Sequence, residues 1–263
     1  MKYVLVTGAF GGMGKATVDL LAEAGYFVFA LDKKAGEAKE NVLPIETDIT
    51  DGESVRAAVS KVQAVTDELY AVVHFAGIYV LNSFLEISDE AFCKAFEVNL
   101  FGAFRINKAF APFLKKGGRI LITTSELAPL DPLPFTGLYA VTKSALDKYA
   151  YSLRMEVQLL GVSVSVLRAG AVATDMLGVS TTALDDFCAK TKTYSCNAKR
   201  FKSIVEKVEA RKVPPLRVAN KVLKILGAKR PKHVYTLNRN PLLLLLNALP
   251  ARLQTWIIRK ILQ

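Results

Sequence analysis

The sequence predicts an α/β fold, a doubly wound parallel sheet of about seven strands with helices on both faces, followed by a C-terminal helical tail. Short apolar runs alternate with amphipathic stretches along the chain, and the runs lack the polar alternation of a half-solvated strand. Because no repeat, low-complexity tract or linker interrupts this order, one domain over residues 1–263 is the simplest interpretation. The predicted strands cover residues 2–7, 27–31, 42–46, 71–76, 119–124, 163–167 and 233–237.

The amphipathic stretches between the runs predict the connecting helices. In the last of them, apolar residues recur at helical spacing from Leu146 to Leu160. The alternation of strands and helices places a ligand site beyond the carboxyl ends of the strands. The link between the second and third strands is short, so we expect no full-length helix there. The predicted helices cover residues 14–24, 53–64, 89–114 and 137–160.

The composition is that of a folded chain with an uneven charge. Hydrophobic residues make up 51% of the sequence and charged residues 22%, which excludes a disordered protein. Residues 210–263 contain 12 Lys and Arg and no Asp or Glu, so the net charge of +11 comes entirely from this segment. A solvated basic face is the simplest explanation. An anionic membrane surface or an acidic substrate are the alternatives.

Cysteine and histidine usage bears on the compartment and on metal binding. Cys93, Cys188 and Cys196 form no CxxC pair and would leave one thiol over from any disulfide, which is typical of a reduced, cytoplasmic protein. With only His74 and His233 available, we expect no histidine-based metal site. The chain opens directly into an apolar strand without a basic leader, so we expect no signal peptide.

A glycine-rich turn follows the first predicted strand. It reads Thr7-Gly8-Ala9-Phe10-Gly11-Gly12-Met13-Gly14 and opens a helix. Glycines let the backbone approach a pyrophosphate, whose charge then meets the helix N-terminus. Asp32 ends the second strand 18 residues after Gly14, where a carboxylate would accept hydrogen bonds from the adenosine ribose. Together these features predict a dinucleotide site of the Rossmann type.

The same region bears on the choice of cofactor. The Asp32 carboxylate would repel a 2′-phosphate, and position 11 is glycine where a phosphate-binding enzyme would gain from a cation. Lys33 and Lys34 argue the other way, since either could reach a phosphate. We therefore expect NAD(H) in preference to NADP(H).

A second group of motifs lies in the middle of the chain. Tyr139-Ala140-Val141-Thr142-Lys143 is a YxxxK motif opening the helix at 137–160, and Ser125 ends the preceding strand. Together with the TGxxxGxG turn, Asn99 in Val98-Asn99-Leu100 and the PGxVxT-like run from Ala169 to Thr174, these motifs resemble the short-chain dehydrogenase/reductase family in its compact, single-domain branch. The resemblance covers essentially the whole chain, in order.

The chemistry of the central motifs suits hydride transfer to or from a carbonyl carbon. Tyr139 and Lys143, four residues apart, project from one face of a helix. A lysine ammonium and an oxidised nicotinamide would both lower the pKa of tyrosine from about 10. Tyr139 could then deprotonate an alcohol or protonate the new alkoxide, and Ser125 would hydrogen-bond the reacting oxygen.

The resemblance implies further roles. Lys143 would also hold the nicotinamide ribose, and Asn99 would hold a water in a proton relay. The alternative for Asn99 is a helix-kink residue that satisfies its own backbone. The cofactor contacts that the resemblance implies are Gly8, Phe10, Gly11, Gly12, Met13, Gly14, Asp32, Asp48, Ile49, Ala76, Gly77, Tyr139, Lys143, Gly170, Val172 and Thr174.

The sequence also departs from the family pattern. The usual NNAG is His74-Phe75-Ala76-Gly77, so His74 either replaces the first asparagine through a ring nitrogen or is a satisfied core histidine. Ala169 stands where the family has proline. The glycine turn also fits TGxxGxxG of the extended, epimerase-like branch. Against that branch, we expect no second substrate domain after residue 240.

The end of the chain predicts a lid and a tail. Residues 175–213 correspond to a substrate lid, and an apolar lining indicates a lipophilic substrate such as a steroid, bile acid, retinoid or long-chain compound. The tail, residues 240–263, contains an amphipathic stretch with one Trp and several basic residues. We expect it to cover the substrate mouth or a subunit interface, with a membrane surface as the alternative. The expected lining residues are Leu130, Leu133, Phe135, Met176, Leu177, Val179, Leu184 and Phe187.

The sequence therefore predicts an NAD(H)-dependent oxidoreductase that interconverts a secondary alcohol and a carbonyl. A nucleotide-sensing binding protein on the same fold and a sugar-nucleotide epimerase-like enzyme are the alternatives. We expect a small lipophilic alcohol or ketone as the partner and no nucleic acid. We also expect a homodimer or homotetramer through helices 89–114 and 137–160, in the cytoplasm, with peripheral membrane contact through the tail left open.

Overall fold

The sheet that the sequence predicts is present in the computed structural model, which describes residues 1–34, 36–209 and 211–263, without the side chains of 175–181 and 206–209. The described residues form one seven-stranded sheet in the order β3-β2-β1-β4-β5-β6-β7, and all neighbouring strands are parallel. This confirms the doubly wound fold. The strands are β1 (Lys2–Thr7), β2 (Tyr26–Asp32), β3 (Val42–Glu46), β4 (Leu69–His74), β5 (Leu114–Ser125), β6 (Ser163–Ala169) and β7 (Val234–Leu237).

Three of the helices, α2, α3 and α9, begin where a polar side chain satisfies free backbone N–H groups. Asp51 accepts hydrogen bonds from the first turn of α2, Ser88 from that of α3, and Asn240 from that of α9. The helices are α1 (Gly12–Glu23), α2 (Gly52–Gln63), α3 (Asp89–Phe96), α4 (Gly102–Phe110), α5 (Gly137–Val157), α6 (Asp175–Lys190), α7 (Ser195–Glu209), α8 (Pro215–Gly227), α9 (Pro241–Asn247) and α10 (Ala251–Leu262). In the link between β2 and β3, the described residues form no helix, as expected.

The predicted helix at 89–114 is wrong as a single element. A π-helical turn, Glu97–Phe101, separates α3 from α4, and a 3₁₀ turn, Ala111–Phe113, follows α4. Pro112 has no N–H for the α-helical ladder, so α4 cannot continue through it. Leu114 already belongs to β5, which begins five residues before the predicted strand. The π-helical turn carries Asn99, and π-bulges are often found at functional sites.

Alternate residues of each central strand face opposite layers of helices. On β1, Leu5 packs in the core beneath α4 and α5, whereas Val4 and Val6 pack in the core beneath α1 and α8. Burial on both faces explains the continuous apolar runs in the sequence. A third cluster joins the lid helices α6 and α7 to Leu262 of α10. The carboxyl ends of the strands therefore open beneath the lid and the tail.

The core beneath α4 gives a test of this packing. Ile106 is fully buried between α4 and the sheet, so Ile106→Ala should lower the free energy of unfolding by about 2–5 kcal/mol. Leu159, which is 83% exposed, provides the control, and Leu159→Ala should change the free energy by less than about 0.5 kcal/mol. Urea denaturation measures both, and similar losses in the two variants would contradict the assigned core.

Candidate active site

The glycine turn between β1 and α1 requires glycine at two positions. Gly8 has φ +66°, and a Cβ there would lie 2.6 Å from the backbone N of Ala76. A Cβ on Gly14 would lie 1.9 Å from the carbonyl oxygen of Gly8. The turn therefore packs directly against the end of β4. It leaves the N-terminus of α1, with Gly12 and Met13 in its first turn, open beside the strand ends.

Asp32 joins this turn to the end of β2. Its two carboxylate oxygens accept hydrogen bonds from the backbone N of Phe10 (2.9 Å) and of Lys33 (2.7 Å). The Lys33 Nζ lies 2.7 Å from Asp48 Oδ2, and this pair, helped by Thr50, lowers the pKa of Asp48 to about 2. One of the two lysines that argued for NADP(H) is therefore engaged by a neighbouring carboxylate.

Asn99 joins three elements below the turn. Its Oδ1 accepts a hydrogen bond from Ile78 N (2.8 Å), and its Nδ2 donates to Ile78 O (3.0 Å) and to Thr142 Oγ1 (3.0 Å). A Cβ on Gly77 would lie 3.1 Å from Asn99 Oδ1 and 3.3 Å from Lys143 Nζ. The side chain thus ties the π-helical turn to the loop after β4 and to α5, and does not bond its own helix.

Ser125, Tyr139 and Lys143 meet where β5 and α5 converge. Ser125 and Tyr139 line the same cavity, and the Ser125 hydroxyl is close enough to oppose the rise in the pKa of Tyr139. The Lys143 Nζ lies 5.7 Å from the centroid of the Tyr139 ring and donates to Thr123 O at 3.5 Å. The ring of Tyr79 lies 4.8 Å from that of Tyr139, between centroids. Sequence analysis missed Tyr79, because nothing in the local pattern after Gly77 indicates that its ring reaches α5.

Burial controls the electrostatics of this group. Burial raises the pKa of Tyr139 above its ordinary value, Tyr79 raises it further, and the Ser125 hydroxyl opposes them. Burial also lowers the pKa of Lys143 to about 8. The predicted lowering of the Tyr139 pKa involves Lys143 together with an oxidised nicotinamide, whereas burial and Tyr79 act on this pKa in the opposite direction. The charged neighbours of the phenol can be identified from the sequence, whereas the loss of water around it depends on the folded structure.

Ser125, Tyr139 and Tyr79 open onto an apolar cavity of about 220 Å³. Met13, Gly170, Val172 and Thr174 line it beside Ser125 and Tyr139, so the predicted cofactor contacts from the first and sixth strands meet there. Elsewhere, Ile49 packs against Gly102 at the start of α4, away from this wall. Phe201 and Ile204 of α7 and Leu243 of α9 complete the apolar wall.

The predicted lining is only partly correct. Leu133 lines the cavity, but Leu130 does not, and Phe135 packs against Phe187 with ring centroids 4.7 Å apart. Leu184 lies with them in the cluster beneath the lid, so these apolar residues hold the lid helices together. The side chains of Met176, Leu177 and Val179 lie outside the described residues.

Glu126 is a further wall residue that sequence analysis missed. Its side chain is 8% exposed, and its Oε2 accepts a hydrogen bond of 2.6 Å from the backbone N of Asn240. Burial raises the pKa of the carboxyl, while that hydrogen bond and Arg239 oppose the shift. An acidic residue directly after a buried strand was the available signal. Its partner lies 114 residues away, which no local pattern reveals.

His74 is a core histidine. Its side chain is buried at the end of β4, with Nε2 2.9 Å from Asn107 Oδ1, and burial lowers its pKa to about 4. Asn107 in turn donates to the hydroxyl of Tyr149. Of the two interpretations, the structure therefore shows the satisfied core residue. Among the described residues, no group of three or more His, Cys, Asp or Glu side chains is placed to hold a metal ion.

Known proteins are similar to this chain in sequence. A family model described as short chain dehydrogenase matches residues 2–185. A 3-ketodihydrosphingosine reductase from Bacteroides thetaiotaomicron is 25% identical over 231 residues, which cover 88% of this chain and 85% of that protein. Estradiol 17-beta-dehydrogenase 2 from Mus musculus is 35% identical over 189 residues, which cover 67% of this chain. The match covers 50% of the mouse protein, so the chain spans half the length of that relative.

Solved structures share the fold. A short chain dehydrogenase family protein from Francisella tularensis superimposes with a TM-score of 0.76 at 22% identity, covering 90% of this chain and 97% of that one.

The buried His74 gives a pH-dependent prediction. Its pKa is about 6.5 in an unfolded chain and about 4 in the fold, so the unfolded chain binds a proton first as the pH falls. Neutral His74 contributes fully to the free energy of unfolding above pH 6.5. This contribution decreases by up to about 3 kcal/mol as the pH falls toward 4. In His74→Gln, the free energy of unfolding should therefore fall less steeply between these pH values. Equal slopes in urea titrations of the two proteins would contradict this assignment.

Proposed function

Because the chain belongs to the short-chain dehydrogenase/reductase family, we propose that this oxidoreductase uses NAD(H) to interconvert a secondary alcohol and a carbonyl on a lipophilic substrate. The observation that carries the proposal is that Tyr139 and Ser125 line one wall of an apolar cavity, with the Lys143 Nζ 5.7 Å from the centroid of the Tyr139 ring. Tyr139 and Ser125 each have a role at the reacting oxygen, and a protein that only bound a nucleotide would need neither of them.

The strand ends fit a nicotinamide dinucleotide. The glycine cradle at Gly8 and Gly14, which a Cβ would fill, leaves backbone N–H groups at the start of α1 for a pyrophosphate. Asp32 would bind the adenosine ribose, and Lys143 the nicotinamide ribose. The bound nicotinamide would supply or accept the hydride. The remaining proposed contacts are Phe10, Gly11, Gly12, Met13, Asp48, Ile49, Ala76, Gly77, Tyr139, Gly170, Val172 and Thr174.

In reduction, the Tyr139 phenol donates its proton to the oxygen of the carbonyl as the carbon is reduced, and in oxidation the phenolate takes the proton of the alcohol. The raised pKa of Tyr139 keeps the proton on the phenol, which is the form needed for reduction. Ser125 donates a hydrogen bond to the same oxygen, where negative charge develops. Asn99 fixes the loop and α5 around these groups, and we propose that it also holds the relay water.

The apolar cavity supports a lipophilic substrate. Its wall combines the acid/base set with Leu133, Phe201 and Leu243, so a substrate there contacts mostly hydrocarbon. Two relatives are named for estradiol and for 3-ketodihydrosphingosine, which supports steroid and long-chain carbonyl compounds. The test is a panel of steroid, bile-acid, retinoid and simple secondary alcohols, with NAD and NADP, followed at the nicotinamide absorbance.

Exposed apolar side chains support an oligomer. Phe101 and Phe104 at the start of α4 and Met155 on α5 are large and solvent-exposed. They lie on the two helices that we expected to form the subunit interface, which favours a homodimer or homotetramer through this face. Cys93 and Cys196 are free thiols, which supports a location in the cytoplasm.

The acid/base role gives the first functional prediction. Tyr139→Phe removes the phenolic oxygen but no large cofactor contact, so turnover should fall by about 10²–10⁴-fold or more while NADH binding stays nearly unchanged. Tyr151→Phe, on the same helix but exposed, is the control and should retain full activity. Steady-state kinetics and NADH fluorescence measure the two properties. A Tyr139→Phe enzyme with more than about a tenth of the activity would overturn the assignment.

The choice of cofactor gives the second functional prediction. Asp32→Ser combined with Gly11→Arg removes the carboxylate and adds a cation, so the ratio of kcat/KM for NADP to that for NAD should rise. Gly11 tolerates a side chain, because a Cβ there would lie 3.6 Å from Gly8 O, its nearest neighbour. A wild-type enzyme that already favours NADPH over NADH would show instead that Lys33 and Lys34 determine the choice.

A further inference from the structure

The tail, residues 240–263, exposes large apolar side chains. On α9, Leu242 and Leu245 are each 64% exposed and, three residues apart, lie on one side of the helix. On α10, Trp256 is 57% exposed, and Leu253 and Ile261 are also exposed. Single exposed apolar residues are ordinary, but a concentration of them within one short segment marks an interaction surface.

The opposite side of the tail is packed against the enzyme. Leu243 lines the active-site cavity, and Leu262 is buried in the cluster beneath the lid. Asn197 of α7 donates a hydrogen bond of 2.7 Å to Leu262 O, and Gln254 Nε2 donates one of 3.3 Å to Asp131 Oδ2. The inner side of the tail thus already covers the cavity, and that role leaves the exposed leucines and Trp256 without an explanation.

The charge around the exposed side chains indicates what binds them. Arg252, Trp256 and Lys260 follow one another at four-residue intervals, so they lie on one stripe of α10. Tryptophan between cations is typical of a helix that lies in a membrane interface. Because residues 210–263 contain no Asp or Glu, a second copy of this basic segment would be repelled, whereas anionic lipid headgroups would be attracted.

We propose that the tail docks the enzyme on an anionic lipid surface, with Leu242, Leu245 and Trp256 inserted among the lipids. Among the described residues, none of the helices has the length and apolar character needed to cross a bilayer, so the contact is peripheral. Since α9 lines the cavity on its other side, a lipophilic substrate would pass from the lipid beneath the tail into the active site. This route rests on the proposed function, but the docking does not.

The experiment is co-sedimentation of the full chain with phosphatidylcholine vesicles, with and without phosphatidylserine. We expect binding that requires phosphatidylserine and weakens with salt, since the Debye length shrinks from about 8 Å at physiological ionic strength to about 3 Å at 1 M. The variant Leu242→Ser/Leu245→Ser/Trp256→Ser should lose binding by at least about tenfold, because it removes the side chains that enter the lipid.

The matched control is Leu159→Ser/Leu160→Ser. These leucines are 83% and 70% exposed. They precede β6, so they lie near the amino ends of the strands, whereas the site lies at the carboxyl ends. This variant should bind vesicles as the wild-type chain does. Both variants should keep wild-type turnover of a water-soluble alcohol, because neither changes a residue of the cavity wall.

Three results would overturn the proposal. They are a wild-type chain that ignores anionic vesicles, a tail variant that still binds them, and a tail variant that changes only the oligomeric mass in light scattering. The last would assign the surface to a second copy of the chain. Vesicle binding that depends on the tail, by a chain that oxidises no lipophilic alcohol, would support docking and contradict the proposed function.

Discussion

The arrangement of the active site depends on a close approach at the backbone of Gly77, just beyond β4. A side chain there would lie within 3.1 Å of Asn99 Oδ1 and 3.3 Å of Lys143 Nζ. Because the position has no side chain, Asn99 can satisfy both backbone groups of Ile78 and still reach α5. The loop after β4, the π-helical turn and α5 are therefore fixed relative to one another by one buried amide.

The sequence predicts well whatever is encoded locally. The glycine turn, the end of β2 at Asp32 and the pair Tyr139 and Lys143 depend on residue type and spacing, and the structure brings all of them to the carboxyl ends of the strands. The break at 97–101 was not predictable, because apolar spacing continues through a π-helical turn. Glu126 was missed for a different reason, since its partner comes from the tail and its burial is a property of the assembled fold.

The pKa of Tyr139 shows most clearly how the sequence-based prediction and the effect of the fold differ. The charged neighbours of Tyr139 can be named from the YxxxK spacing, and they predict a lowered pKa. The fold removes water from the phenol and places Tyr79 beside it, and both effects raise the pKa of Tyr139. Burial also lowers the pKa of Lys143. The protein alone therefore favours the protonated phenol. A positive charge brought into the cavity would lower the pKa of Tyr139 from this raised value.

The hydrogen bond from the Asn240 backbone to Glu126 has a consequence for how the molecule can change over evolution. A buried carboxyl that loses its donor costs about 1–3 kcal/mol or more, and this carboxyl adjoins Ser125 in the chain. A new tail can therefore replace the present one only if it brings a backbone N–H to the same point, or if residue 126 changes with it. The tail and the end of β5 must therefore change together during evolution.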